Sequence, residues 1–489
     1  MPDNEESVQK KFVRPTTSPA AFPGDPEVWN RTMYQDFTLA GQWWLPDNPD
    51  EQIHGILKFE HEKAANLELN GNFSEAGLID SGKPHFCDVI HGKSARGKRY
   101  TIFRAMRFQS RLTSGGFETS MYNCQYFLIG DHFAGHETAQ FNEVSVRLIG
   151  LEASAGHIWR YSEELDSQSK LEWAEPFRFS AWVEELSAHV AVAHEDSISG
   201  IESPFVSARQ KSFVAVKHIN DQPLSWVIDA VFTIQRLFTL LYGFSCLALE
   251  VHVTHSNGGQ SELYYSISKA MTAPVVAVEQ ILLPLSIFEK DEVERLLKAF
   301  VTLPAEMHPV ITLYCATLNQ PGTFTEFEFV NLMQSLEALH RAVYPNCNFM
   351  DSEDYALVAE PIIAAIPASL GLDHKRKLTT AISFGYQFSQ RKRIKDLFRA
   401  LPSAIRSLLC QKISRFADKL VDTRNRFTHW DHNDDKEIFA PAELSIINSG
   451  LRMVFQYMFL HLLSVDDEKI IWALRSMPAW RIYESRKNW

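Results

Sequence analysis

"SAIRSLLCQKISRFADKLVDTRNRFTH", residues 403–429, decides how the C-terminal part of the chain is read. Its apolar residues fall at Ile405, Leu409, Ile413, Phe416 and Leu420, in steps of three and four that draw one stripe along a single predicted helix. The next step of four lands on Arg424. A guanidinium on a buried stripe is costly unless it is paired or opens into a polar pocket, so the helix is expected to carry Arg424 to a cleft at its end. Arg426 falls off the stripe and is expected in solvent. His429, five residues beyond Arg424, would sit about 140° round a continuous helix from it. The two are therefore expected to converge only if the helix stops between them, or across a subunit interface. The acidic loop that follows, "HNDDKEIFAP", closed by Pro441, supports a break there.

Around this stretch the 3.6-residue period persists from about residue 290 onward. "DEVERLLKAFVTL", "FTEFEFVNLMQSLEALHRAVY", "SEDYALVAEPIIAAI", "DHKRKLTTAISFGYQF" and "PAELSIINSGLRMVFQYMFLHLLS" all read as amphipathic helices. From about 34 to 270 the period is two instead, in "IHGILKFE", "ANLELNG", "RYTIFRAMRFQS", "NCQYFLIG", "EVSVRLIGL" and "SFVAVKHI", separated by Gly, Asp, Asn and Ser clusters. One helix interrupts these strands, "WVIDAVFTIQRLFTLLYG", with Gly243 in the place of a C-terminal cap. The expected fold class is α+β and multidomain. Residues 1–30 read as a polar tail, 31–289 as an antiparallel β-rich domain and 290–489 as an α-helical bundle.

The totals narrow the function classes. A chain of 489 residues exceeds one ordinary core, and 45% hydrophobic residues suffice for normal ones. The formal charge of -12 excludes a general nucleic-acid coat and predicts weak attraction to anionic membranes. The greasiest stretch carries Asp229, Gln235 and Arg236, so a buried helix is expected there and no membrane anchor. The start lacks the apolar core of a signal peptide, and the six cysteines form no C-x-x-C pair, which suits reduced thiols in a cytoplasm.

Arginine and histidine without metal ligands are a sufficient set for cleaving RNA. The histidine can move the proton of the ribose 2'-OH or of the leaving oxygen, while the arginine clamps phosphate oxygens as charge builds. The bare spacing is weak, because about one Arg-x4-His is expected by chance at this composition; a helix-end arginine and a loop histidine would satisfy it equally. Arg426 with His432 makes a second register. Lys375, Arg376, Lys377, Arg391, Lys392, Arg393, Lys395 and Arg399 cluster in two predicted helices and read either as an RNA-backbone track or as a solvated charged face. Glu337 and Arg341, spaced i, i+4, fit a surface pair, or a glutamate orienting a catalytic arginine. His340 reads as an ordinary helix residue. "GDHFAGHETAQF", with Asp131, His132, His136 and Glu137, has metal-like spacing, but its glycines favour a structural hairpin. No P-loop or G-x-S-x-G is present.

"LVDTRNRFTH", with "EFVNLMQSLEALHRAVY" before it and "ELSIINSGLRMVFQYMFLHLL" after it, resembles the ApeA-like HEPN domain, whose signature is R-x4-6-H with a polar residue after the arginine. The β half, with "AGQWWLPDNPDEQIHGILKFE" and "NLELNGNF", resembles the ApeA N-terminal domain. The resemblance implies an anti-phage endoribonuclease that needs no metal or other cofactor and cuts RNA, with tRNA among the substrates to test. It implies a homodimer in which two motifs face each other, and an N-terminal domain that senses a phage-derived activator or restrains the effector. Carried onto this chain, Arg424, Asn425 and His429 match the motif, with Arg426 beside them as a phosphate contact. A non-catalytic RNA- or nucleotide-binding module, or a dimerisation bundle with a capped helix end, are the alternatives.

Overall fold

The computed structural model describes residues 32–60, 63–73, 85–112, 118–155, 159–163, 169–173, 175–199, 207–266, 276–319, 324–429 and 436–486. The expected polar tail lies outside them. Contacts group the chain into two compact units, one of residues 1–141, 221–225 and 249–268, the other of 142–220, 226–248 and 269–489.

The first unit is built on strands β1 (Phe37–Trp44), β2 (Ile53–Phe59), β3 (Ala65–Leu69), β4 (His85–Lys93), β5 (Arg99–Leu112) and β6 (Glu118–Ile129). Each is antiparallel to its neighbours in the ring β1-β2-β3-β6-β5-β4, and β4 pairs back onto β1. The sheet is thus a closed six-stranded barrel without free edges in the ring. The alternating pattern of the sequence fills it: Leu57, Phe59, Leu67, Leu69, Ile102 and Phe127 are fully buried. Trp43, also fully buried, faces Gly92 across the β1–β4 pairing. A Cβ at position 92 would stand 2.4 Å from the Trp43 ring, so only glycine leaves room for the indole. Strand Gln260–Tyr265 extends the β3 side of β6, and Tyr264 stacks on Phe127 at 5.0 Å.

In the second unit, strands Phe179–Val183, Ala188–Ser199 and Ser207–Pro223 form an antiparallel run. Helix α1 (Leu224–Tyr242) ends at Gly243, whose φ of 76° is the left-handed conformation expected of a helix-capping glycine. Among the described residues α1 is the one helix long and apolar enough to cross a membrane, but 56% of its apolar window is buried inside the fold.

From residue 290 onward the described helices are α2 (Lys290–Val301), α3 (Met307–Leu318), α4 (Thr325–Val343), α5 (Ser352–Ala364), α6 (Leu372–Ser383), α7 (Gln390–Ala400), α8 (Ser403–Leu409), α9 (Ile413–His429), α10 (Pro441–Leu462), α11 (Asp467–Ser476) and α12 (Pro478–Arg486). The change of period near 290 coincides with the start of α2, while the compact units group the three strands just described with the helices. α4 is the bundle's central helix: α3, α7, α9 and α10 all pack on it. Its Phe329, Leu332, Met333, Leu336 and Leu339 are fully buried, each worth about 1.5–3 kcal/mol in apolar area removed from water.

One expectation about the opening stretch fails. Residues 403–429 form two helices, because Cys410 is extended (φ -155°, ψ 142°) and separates α8 from α9. Three non-helical residues reset the rotational phase, so a stripe counted across them has no single face. Ile405 and Leu409 are buried by α8, whereas α9 buries Ala417, Leu420, Val421 and Thr423 and leaves Ile413 and Phe416 half-exposed. The step from Leu420 to Arg424 survives, since both lie within α9.

Candidate active site

Arg424, Asn425 and His429 occupy the last turns of α9. Arg424 and Asn425 are half-buried and His429 is exposed. The expected helix break between Arg424 and His429 does not exist: α9 continues to His429, and still the Arg424 Nη1 comes within 3.5 Å of His429 Nε2. Five residues advance about 7.5 Å along a helix axis, a span the long arginine side chain covers by running along the surface. The same Nη1 donates to Asn425 Oδ1 at 3.2 Å, so the polar residue after the arginine steadies the guanidinium. Arg424 Nε is buried without a hydrogen-bond partner, and among the described residues no carboxylate pairs with Arg424. A guanidinium kept short of acceptors beside an accessible imidazole is ready for an anionic ligand. Arg426 and His429, both in the last turn, also stand where the helix dipole favours positive charge.

Glu437 and Phe439 are tied back to the same helix. Thr423, fully buried, donates to Lys419 O (2.7 Å) and accepts from Phe439 N (2.9 Å). Phe439 packs on Phe416, and Lys419 Nζ lies 4.3 Å from the centre of its ring. Arg415 makes a two-pronged contact with Glu437 at 2.9 and 3.0 Å. His432, the histidine of the second register, lies outside the described residues.

The two basic clusters have different surroundings. Lys375, Arg376 and Lys377 on α6 are exposed, with no ion pair among the described residues. On α7 the charges are neutralised: Arg391 pairs closely with Asp422, Lys395 with Asp418 at 2.9 Å, Lys392 with Asp396 at 2.6 Å and Arg399 with Asp396 at 3.1 Å. Arg393 is only 3% exposed, donating to Phe388 O (3.2 Å) and lying 3.2 Å from His340 Nδ1. A buried, bonded guanidinium holds α7 against α4 and does not face solvent.

His340 therefore does more than the sequence indicated. It is 1% exposed, with Nε2 3.7 Å from Asp396 and its ring against Tyr344 and Phe388. Burial first, and the Arg393 charge next, hold it below the ordinary histidine value. Glu337 pairs with Arg341 at 3.0 Å, the surface reading of that spacing. The Asp418 and Asp422 counter-charges were missed, although a signal existed. Arg391 and Lys395 on one helix match their four-residue spacing on another.

In the barrel unit, residues 131–139 form an irregular loop rather than a hairpin. Asp131 pairs with Arg99 (2.8 Å), His132 Nε2 meets Gly92 O (2.9 Å) and His91 Nε2 meets Phe133 O (2.9 Å). His91 and His132 stack at 4.4 Å, and burial lowers the pKa of both. These polar groups pin the loop onto the strands.

Two family models match the chain, ApeA N-terminal domain 1 over residues 38–274 and Apea-like HEPN over residues 330–469. No curated protein and no solved structure gives a significant match. The second match contains the whole of α9 and with it Arg424, Asn425 and His429. HEPN domains are usually ribonucleases, and the ApeA-like type fits a family of anti-phage defence ribonucleases. By its strand-rich N-terminal match and its helical C-terminal one, the chain belongs to the ApeA-like HEPN proteins.

Proposed function

We propose that the protein is an anti-phage endoribonuclease that cuts RNA without a metal ion, with residues 290–489 as effector and residues 31–289 as the part that senses a phage-derived activator or restrains the effector. The observation that carries this reading is the 3.5 Å approach of the unpaired Arg424 guanidinium to the exposed His429 imidazole. In the proposed reaction the 2'-OH loses its proton as its oxygen bonds to phosphorus, and the bond from phosphorus to the 5'-oxygen breaks. His429 carries the proton of the attacking or of the leaving oxygen, and Arg424 holds the phosphate oxygens as charge grows on them. Asn425 orients Arg424, and Arg426 contacts the neighbouring phosphate. The products would be a 2',3'-cyclic phosphate and a 5'-OH, and tRNA is the first substrate to test.

The protein would work in the cytoplasm as a homodimer with two such motifs facing each other, so that two histidines serve one cleft. The test is to map RNA ends in cells expressing the wild type, Arg424→Ala or His429→Ala. New 5'-OH ends in the wild type alone support the reading. Identical ends in all three overturn it, and salt-sensitive RNA binding without any new ends would favour a binding module.

A further inference from the structure

The helical hairpin α5–α6 is unlike the rest of the second unit. Its base is well held: Tyr355 Oη donates to Ile382 O (2.7 Å), Phe349 N to Tyr386 O (2.7 Å), and Phe349 packs on Phe388. Beyond that base, α5 buries only Ala359 and α6 buries no residue. Helices of 13 and 12 residues are marginal in water without a packed apolar face. Yet Leu357 is 74% and Leu372 64% exposed, joined by Val358, Ile362, Leu378 and Phe384. Exposed apolar side chains gathered on one helical pair in this way mark a contact site.

Charge identifies what covers it. α5 carries Glu353, Asp354 and Glu360, all exposed, and no basic residue. α6 carries Lys375, Arg376 and Lys377, with Asp373 alone against them. Among the described residues none of these seven forms an ion pair. Nucleic acid or an anionic bilayer would attract α6 and be repelled by α5. A surface acidic on one helix and basic on the next complements itself on a two-fold rotation. We propose that the α5–α6 hairpin is a self-docking surface for a second copy of this chain, α5 of each copy lying on α6 of the other with the leucines between them. This contact is separate from the Arg424/His429 site and holds whether or not that site cuts RNA.

The test uses the full chain in two charge-reversed forms, Lys375→Glu/Arg376→Glu/Lys377→Glu and Glu353→Lys/Asp354→Lys/Glu360→Lys, with mass measured by sedimentation. Each form alone is expected to sediment at a lower mass than the wild type at concentrations where the wild type is fully assembled. An equimolar mixture restores the larger species, because each reversed helix then meets its complement. Leu357→Ser/Leu372→Ser, which leaves every charge in place, should weaken assembly at least about tenfold, and far-ultraviolet circular dichroism checks that all variants fold. Wild-type mass in both reversed forms overturns the proposal. So does unchanged mass with lost RNA binding, which assigns the lysines to nucleic acid, or with lost binding to phosphatidylserine vesicles, which assigns them to lipid. Failure of the mixture to reassociate also overturns it.

Discussion

Arg424 shows how a functional side chain differs from a structural one of the same type. Arg393 is buried on α7 with its Nε donating to Phe388 O and its Nη1 beside His340 of α4, whereas Arg424 has a buried Nε that bonds nothing and an Nη1 shared between Asn425 and His429. Removing a group that satisfies no buried partner costs the fold little. Arg424→Ala and His429→Ala are therefore expected to melt within about 2 °C of the wild type while RNA cleavage falls about 10²–10⁴-fold. Arg426→Ala should lose less than about tenfold, as expected for a phosphate contact off the reacting atoms. Calorimetry beside a single-turnover cleavage assay separates these outcomes. A variant that loses activity only because it unfolds would contradict the assignment.

At the scale of elements, the bundle depends on helix pairs whose charges are matched across the gap. Among these contacts His340 carries a pKa lowered by burial and by the Arg393 charge. Its folded pKa is lowered, so on acidification the unfolded chain takes up a proton near pH 6.5 that the folded chain refuses, with Arg393 and Lys392 opposing the new charge and Asp396 favouring it. Stability is thus intact above about pH 6.5, falls as the pH drops below it and levels off only beneath the folded value. Burial likewise lowers His91, His132, His194 and His255, which act with the same sign. Chemical denaturation from pH 7.5 to 5 should show the decline, and a smaller one in His340→Gln; equal slopes would remove His340 from the account.

What the sequence disclosed divides along the same line. Period and capping located β2, β3, β5 and β6 of the barrel, α1 and most later helices, because burial on one face leaves a rhythm that needs no partner to be seen. The α8–α9 break was invisible: Cys410 and Gln411 carry no breaker signal, and the stripe runs through them in register. The Arg424–His429 approach was misjudged because angular separation was counted without the length of the arginine side chain. His340 looked ordinary, since its partner Arg393 lies 53 residues away and no local pattern joins them.

Across the whole molecule, tight packing leaves some positions no slack, and Gly92 of the barrel is one of them. Gly92→Ala forces a Cβ against the buried Trp43 indole and is expected to cost about 3 kcal/mol or more, read as a shift in the urea midpoint. A shift under about 0.5 kcal/mol would mean that the indole has room to move. Closure of the ring also has a kinetic side. Gln42 must find Lys93, and Ala65 must find Cys124, so long loops have to close before the ring contributes stability. Such pairings form slowly, while α4, α7, α9 and α10 are built from contacts mostly local to each helix. Pulsed hydrogen exchange during refolding should accordingly protect amides of these helices before those of β1–β6; the reverse order would refute it. On the ribosome the sequence of events inverts. The 300 residues from Ile129, the end of β6, to His429 take about 15–60 s to synthesise, so the slow ring gains its time before the fast helix bearing Arg424 and His429 exists.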